Sequence, residues 1–226
     1  MKSVTVVALL FFLIFTVPAS AQAPPDPFRA EIDALTAQDR SQPPPHGGVV
    51  FVGSSSIRLW TTLRDDFPGV PVINRGFGGS TIADSTRYAD RIILPYEPKL
   101  VVLYAGDNDI AMGHSSEQVV TDFKAFIARV RRDLPRVAIA FVSLKPSVAR
   151  AALWPQMRAA NAGIERWSKQ QRDVVYVDAA SRMLDPNGQP RPELLREDGL
   201  HMNPAGYAIW IEALKPVLLR YRFAAR

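Results

Sequence analysis

Residues 49–57 read VVFVGSSSI, an unbroken run of β-branched and aromatic residues that ends in a glycine and three serines. An apolar run without polar alternation is typical of a strand that is covered on both faces of a sheet. Similar runs occur at 70–73, 100–104, 137–142 and 174–177, and helical patterns over 115–133, 154–171 and 204–220 lie between or after them. This alternation predicts an α/β fold, a three-layer α/β/α sandwich around a five-stranded parallel sheet.

The composition is that of an ordinary globular protein with one core. The 226 residues are 47% hydrophobic and 22% charged, which is enough apolar material for a single buried domain and argues against a disordered or fibrous chain. Cysteine is absent, which excludes disulfides, thiolate catalysis and cysteine-ligated zinc.

The first residues have the pattern of a secretory leader. Lys2 precedes an apolar run over 4–17, and Ala19-Ser20-Ala21 fits an A-x-A cleavage site. We predict a signal peptide over 1–21, an N-terminal connector and helix over 22–47, and a main domain over 48–226, in a secreted or periplasmic protein. An uncleaved membrane anchor is the alternative, but the run is shorter than the ~20 residues that span a bilayer, so we expect no stable membrane insertion after cleavage.

The charge pattern bears on possible partners. The formal net charge of +5 includes Lys2, so about +4 remains on the rest of the chain. Basic residues are interspersed with acids, as in RVRRDLPR and ELLRED, and do not cluster with aromatic residues. We therefore predict no nucleic-acid partner.

The ends of the predicted strands are the first places to look for chemistry, because ligands bind beyond the carboxyl ends of parallel strands. The first strand runs into a Gly-Ser-Ser turn that puts Ser55 at the start of a helix, where backbone N–H groups favour negative charge. A helix cap is the other interpretation of this serine. The second strand precedes a glycine-rich run that ends at Gly79 and offers backbone donors, but its spacing does not fit the dinucleotide fingerprint G-x-G-x-x-G.

After the third strand, the segment GDND over 106–109 contains Asn108, whose side-chain amide can donate a hydrogen bond to an oxyanion. A calcium loop or an Asx turn is the alternative. A calcium loop needs glutamate at its twelfth position, where the chain after Asp107 has Gln118. We predict no metal and no cofactor.

Ahead of the last helix, Asp198 and His201 are three residues apart, a spacing that lets a carboxylate reach one ring nitrogen while the other faces outward. His46 lies in a proline-rich turn before the first strand, and His114 lies in a loop. His201 is therefore the candidate general base.

These four segments, in this order, resemble the blocks of the SGNH hydrolases, also called GDSL-type esterases and lipases, and the resemblance extends from Gly48 to about Arg220. The nucleophile of that family follows a glycine by two positions, which matches Ser55, while Ser54 stands where the usual motif has aspartate. The resemblance implies a flavodoxin-like fold, in agreement with the strand count. It implies the catalytic triad Ser55, Asp198 and His201 and an oxyanion hole of Ser55, Gly79 and Asn108.

From this resemblance we expect a serine esterase that acts through an acyl-enzyme on a small-molecule ester. Without a long apolar lid segment, small soluble esters with short acyl or acetyl groups, including acetylated carbohydrates, are favoured over bulk lipid. Two alternatives stay open. One is a lysophospholipase or thioesterase of the same superfamily, and the other is a non-catalytic carbohydrate-binding protein on the same fold.

Overall fold

The computed structural model describes residues 26–221. The segment predicted as a signal peptide lies outside the described residues. Within 26–221 the chain forms a five-stranded parallel sheet with helices on both faces, which confirms the predicted architecture. The strands are β1 (Val49–Gly53), β2 (Val72–Gly76), β3 (Leu100–Tyr104), β4 (Ala138–Val142) and β5 (Val174–Val177), in the spatial order β2-β1-β3-β4-β5. The helices are α1 (Arg29–Ser41), α2 (Ser55–Arg58), α3 (Leu63–Asp66), α4 (Ile82–Arg87), α5 (Ala89–Ile92), α6 (Asp107–Ala111), α7 (Ser116–Asp133), α8 (Trp154–Ser168) and α9 (Pro204–Leu218).

The sheet separates two apolar clusters. Successive residues of a strand face opposite sides, and in β1 the side chains of Val50 and Val52 enter one cluster while those of Val49 and Phe51 enter the other. The first cluster contains side chains of α1 and of α4 to α8, and the second contains side chains of α2, α3 and α9. All residues of β1, β3 and β4 are buried. Burial on both faces of the sheet explains why these strands appear in the sequence as continuous apolar runs.

The predicted bounds of the second strand were wrong. We predicted 70–73, whereas β2 is Val72–Gly76, so that Asn74 and Arg75 lie inside the strand instead of in the loop that follows it. Both side chains have partners from distant parts of the chain. Asn74 donates to a backbone carbonyl of α2, and Arg75 pairs with Asp39 of α1. These contacts satisfy polar groups that would otherwise disfavour a buried strand.

The carboxyl end of β1 positions the site. Gly53 has φ +134°, and a Cβ at this position would lie 1.8 Å from the carbonyl oxygen of Tyr104 on β3, so only glycine fits. The chain then turns directly into α2. In the strand order β2-β1-β3-β4-β5, the chain reverses its direction of winding between β1 and β3. Ligands bind in such sheets at the carboxyl ends of these two strands. None of the helices between residues 26 and 221 is both long and apolar enough to span a membrane.

Candidate active site

Ser55 is the first residue of α2, directly past the end of β1. The N–H of Ser54, the residue before it, donates to the carbonyl of Tyr104 at 2.9 Å and so ties this turn to β3. The side chain of Ser55 is half-buried, and its Oγ lies 2.9 Å from Nε2 of His201. At this distance the hydroxyl can pass its proton to an unprotonated ring nitrogen.

His201 and Asp198 lie in one loop ahead of α9. Nδ1 of His201 is 2.6 Å from Oδ2 of Asp198, and Oδ1 of Asp198 accepts the backbone N–H groups of Leu200 and His201, both at 2.9 Å. Gly199 adopts φ +61° between them, which closes the loop. The hydrogen bond with the His201 ring, together with the two backbone N–H groups, holds the pKa of Asp198 well below its ordinary value. Asp198 is therefore a carboxylate at neutral pH, which keeps the ring proton on Nδ1 and leaves Nε2 free to accept one.

A buried lysine anchors the same loop. Lys145 follows β4 and is only 2% exposed, and its Nζ donates to the carbonyl of Leu200 at 2.5 Å. Burial lowers the pKa of Lys145 to about 8. The sequence shows a lysine three residues past a predicted strand, but its contact with a loop 55 positions away requires the fold.

Asn108 lies in the first turn of α6, past the end of β3. Its Nδ2 donates to the carbonyl of Ser80 at 3.0 Å, and its Oδ1 accepts from Arg150 at 2.8 Å. A flipped amide would put N–H groups against the guanidinium and an oxygen against the carbonyl, so the two partners fix its orientation. The second hydrogen on Nδ2 has no acceptor among residues 26–221, which leaves it available to a substrate oxygen.

Arg150 was not a candidate from the sequence. Besides Asn108 it contacts Asp107, with 3.1 Å between Nη1 of Arg150 and Oδ2 of Asp107, and the side chains of Arg150 and Asp107 are 19% and 8% exposed. Burial, with the nearby Asp107 charge, raises the pKa of Tyr104 well above 10, so this hydroxyl stays neutral beside the ion pair. The only indication of this residue in the sequence was that the loop after β4 contains two basic residues, Lys145 and Arg150.

Gly79 lies in the loop between β2 and α4 and has φ +74°. A Cβ there would meet no heavy atom within 4 Å, so this side of the loop is open. The next residue, Ser80, accepts the hydrogen bond from Asn108. This hydrogen bond therefore links the two segments that contain the predicted oxyanion donors Gly79 and Asn108.

One group within the described part of the chain has the side chains to hold a metal ion. Ligand atoms of Asp109, His114 and Asp122 lie within 4.8 Å of one another, with Asp109 fully buried and His114 exposed. Burial raises the pKa of Asp109 to about 6. None of these three residues belongs to the predicted triad, and none is a predicted oxyanion donor.

The four predicted segments thus meet at one edge of the sheet. They supply a hydroxyl in contact with an imidazole, a carboxylate on the far ring nitrogen, and an oriented amide donor. This set of groups can carry out acyl transfer by a serine nucleophile.

Comparison with known proteins adds two findings. A model of the GDSL-like lipase/acylhydrolase family matches residues 46–209. No curated protein sequence matches the chain.

Several solved structures are similar in fold. A GDSL-like lipase from Bacteroides thetaiotaomicron has a TM-score of 0.72 at 21% identity, covering 84% of this chain and 98% of that one. A carbohydrate esterase family 3 protein from Talaromyces cellulolyticus has a TM-score of 0.61 at 19% identity, with 77% and 97% covered. A variant of an acetyl-xylooligosaccharide esterase from Geobacillus stearmophilus has a TM-score of 0.61 at 14% identity, with 80% and 99% covered. At these identities the likeness shows the fold alone.

Proposed function

This chain belongs to the GDSL-like lipase/acylhydrolase family, and from that premise we propose that it is a serine esterase acting on carboxylic esters of small soluble substrates. The observation that carries the proposal is the 2.9 Å contact between Ser55 Oγ and His201 Nε2, with Asp198 on the other ring nitrogen. A serine hydroxyl is a weak nucleophile at neutral pH and needs a base in this position.

In the first half of the reaction, Ser55 Oγ forms a bond to the ester carbonyl carbon while its proton moves to Nε2 of His201. The carboxylate of Asp198 stabilises the imidazolium. The oxyanion accepts hydrogen bonds from the backbone N–H groups of Ser55 and Gly79 and from the side chain of Asn108, each worth about 3 kcal/mol of barrier. When the oxyanion collapses, the bond to the alcohol oxygen breaks, and that oxygen takes the proton from His201.

In the second half, water attacks the acyl group on Ser55. His201 now takes a proton from the water, and the same donors hold the second oxyanion. The bond between the acyl carbon and Ser55 Oγ breaks, Oγ regains a proton from His201, and the carboxylic acid leaves. The enzyme returns to its starting state, and no cofactor takes part in either half.

For the substrate we propose short acyl or acetyl esters, including acetylated carbohydrates. Two proteins of similar fold support this choice, since one is named a carbohydrate esterase and the other an acetyl-xylooligosaccharide esterase. The leader pattern over 1–21 supports a secreted or periplasmic location for this activity.

The test is a series of p-nitrophenyl esters from acetate to decanoate, together with acetylated xylo-oligosaccharides, assayed with the wild type, Ser55→Ala and Ser56→Ala. Ser56 is the neighbouring hydroxyl on the same short helix and serves as a matched control. We expect highest kcat/KM on acetyl esters, loss of turnover in Ser55→Ala, and near-normal turnover in Ser56→Ala. Preference for the long-chain esters would favour the lysophospholipase or thioesterase alternative. Glycan binding without turnover would favour the binding protein.

A further inference from the structure

Helix α1 precedes the residues that the family model matches, yet it contacts the loop of the predicted oxyanion hole. Ile32 of α1 is fully buried in the core. Phe28, just ahead of the helix, packs edge-on against Phe77, with 5.2 Å between the ring centroids. Phe77 is the first residue after β2 and lies two positions before Gly79.

Glu31 makes the polar contact between α1 and this loop. Its Oε2 accepts the backbone N–H of Gly78 at 3.1 Å, and its Oε1 lies 3.7 Å from Nε of Arg58. Arg58 itself lies against Gly78, because a Cβ on that glycine would be 2.9 Å from the guanidinium carbon. The Gly78 backbone is thus held between a carboxylate from α1 and a guanidinium from the helix that begins at Ser55.

Two consecutive glycines give the loop at 78–79 little conformational restraint of its own, since glycine loses more backbone freedom on ordering than any other residue. A backbone N–H stabilises an oxyanion only when it is held in place before the reaction. We propose that Glu31 is a positioning residue that fixes the Gly78-Gly79 backbone relative to Ser55, so that α1 is part of the catalytic architecture. This inference rests on the proposed esterase function and on the donor role of Gly79.

The helix has other attachments, so removing Glu31 does not detach it. Asp39, near the end of the helix, pairs with Arg75, and Phe28, just ahead of it, packs against Phe77. Together with buried Ile32, these contacts keep α1 on the sheet. A variant at Glu31 therefore changes the loop more than the fold.

The experiment compares Glu31→Ala, Glu31→Asp and Glu31→Gln with the wild type. Asp33→Ala is the matched control, because it removes two exposed ion pairs from the same helix, with Arg29 and Arg91, and such pairs contribute little to stability. The measurements are kcat and KM on p-nitrophenyl acetate, the melting temperature, and the rate at which a fluorophosphonate labels Ser55, which also depends on the oxyanion hole.

We expect Glu31→Ala and Glu31→Asp to lower kcat and the labelling rate about tenfold or more, with KM changed less than about twofold, because the carboxylate is lost or no longer reaches Gly78. Glu31→Gln keeps an oxygen that accepts the N–H and should retain at least about a third of kcat. If Glu31→Ala does not fold, Glu31→Asp decides.

Wild-type kcat in the decisive variant, or an equal loss in Asp33→Ala, would overturn the positioning role and leave the esterase proposal standing. A wild-type protein that neither turns over esters nor reacts with the probe would overturn both.

Discussion

Replacing Lys145 with methionine separates the electrostatic cost of a buried charge from its effect on the loop that holds Asp198 and His201. Lys145 is 2% exposed and donates to the carbonyl of Leu200, between Asp198 and His201. Methionine has a similar length and no charge, so the variant fills the same space without the hydrogen bond. The loop loses an anchor, and we expect kcat to fall about tenfold, since small displacements of catalytic groups are costly.

The effect on stability follows from the pKa. Burial lowers the pKa of Lys145 from 10.5 to about 8, which corresponds to a penalty of about 3 kcal/mol for the charged form in the folded protein at pH 7. Lys145→Met escapes this penalty but leaves the buried carbonyl of Leu200 without its donor, which costs about 2 kcal/mol and offsets most of the gain. Because the folded-state pKa lies below that of the unfolded chain, the penalty is complete below pH 8 and falls as the pH rises toward 10.5. At pH 10 about 1 kcal/mol of it remains.

The assay is urea unfolding at pH 7 and pH 10, with steady-state turnover at pH 7. Lys169→Met is the control, because Lys169 is an exposed lysine in an i,i+4 pair with Glu165. At pH 7 we expect Lys145→Met to unfold with a free energy within about 1 kcal/mol of the wild type, and at pH 10 the wild type should have gained about 2 kcal/mol relative to the variant. A loss of several kcal/mol at pH 7 with the same pH dependence as the wild type would refute the reasoning.

Three further predictions concern Asn108, Asp198 and Asp109. Asn108→Ala removes the proposed side-chain oxyanion donor and should lower kcat on the order of a hundredfold in steady-state assays; turnover within about threefold of the wild type would exclude that role. Asp198→Asn should lower kcat on the order of a thousandfold or more, because an amide at Nδ1 favours the wrong tautomer of His201; a variant that keeps a tenth of the rate would contradict it. Burial raises the pKa of Asp109 from 3.8 to about 6. Protonated Asp109 therefore stabilises the folded protein at low pH, and this contribution to the free energy of unfolding is lost as the pH rises through 6. In urea unfolding, the wild type should therefore lose about 1 kcal/mol more stability between pH 5 and pH 8 than Asp109→Asn does. The same pH dependence in both proteins would contradict the raised pKa of Asp109.

The strands at the centre of the sheet were readable from the sequence because burial on both faces leaves only apolar residues. β1 and β3 begin at the predicted residues, Val49 and Leu100. The edge strand β2 ends three residues later than predicted, at Gly76 instead of residue 73, because Asn74 and Arg75 look like loop residues until their partners are known. A polar residue is compatible with a strand when a distant side chain or carbonyl satisfies it, and sequence spacing does not reveal that partner.

In the candidate site too, residues with a local sequence pattern could be identified and residues with long-range contacts could not. Ser55, Asn108 and the Asp198-His201 pair could be named because each follows a strand or precedes a helix, where local pattern indicates position. Arg150, Lys145 and Glu31 could not be assigned roles. Their contacts cross 42, 55 and 47 positions of the chain, and each depends on the packing of elements that the sequence does not orient.

Whether Ser55 is the nucleophile is measured most directly by intact-protein and peptide mass spectrometry after exposure to a fluorophosphonate. We expect one adduct per chain, located on Ser55, with labelling lost in Ser55→Ala and sharply slowed in a His201→Ala protein that remains folded. An adduct on another residue, or full ester turnover by Ser55→Ala, would contradict a mechanism in which this hydroxyl attacks the substrate.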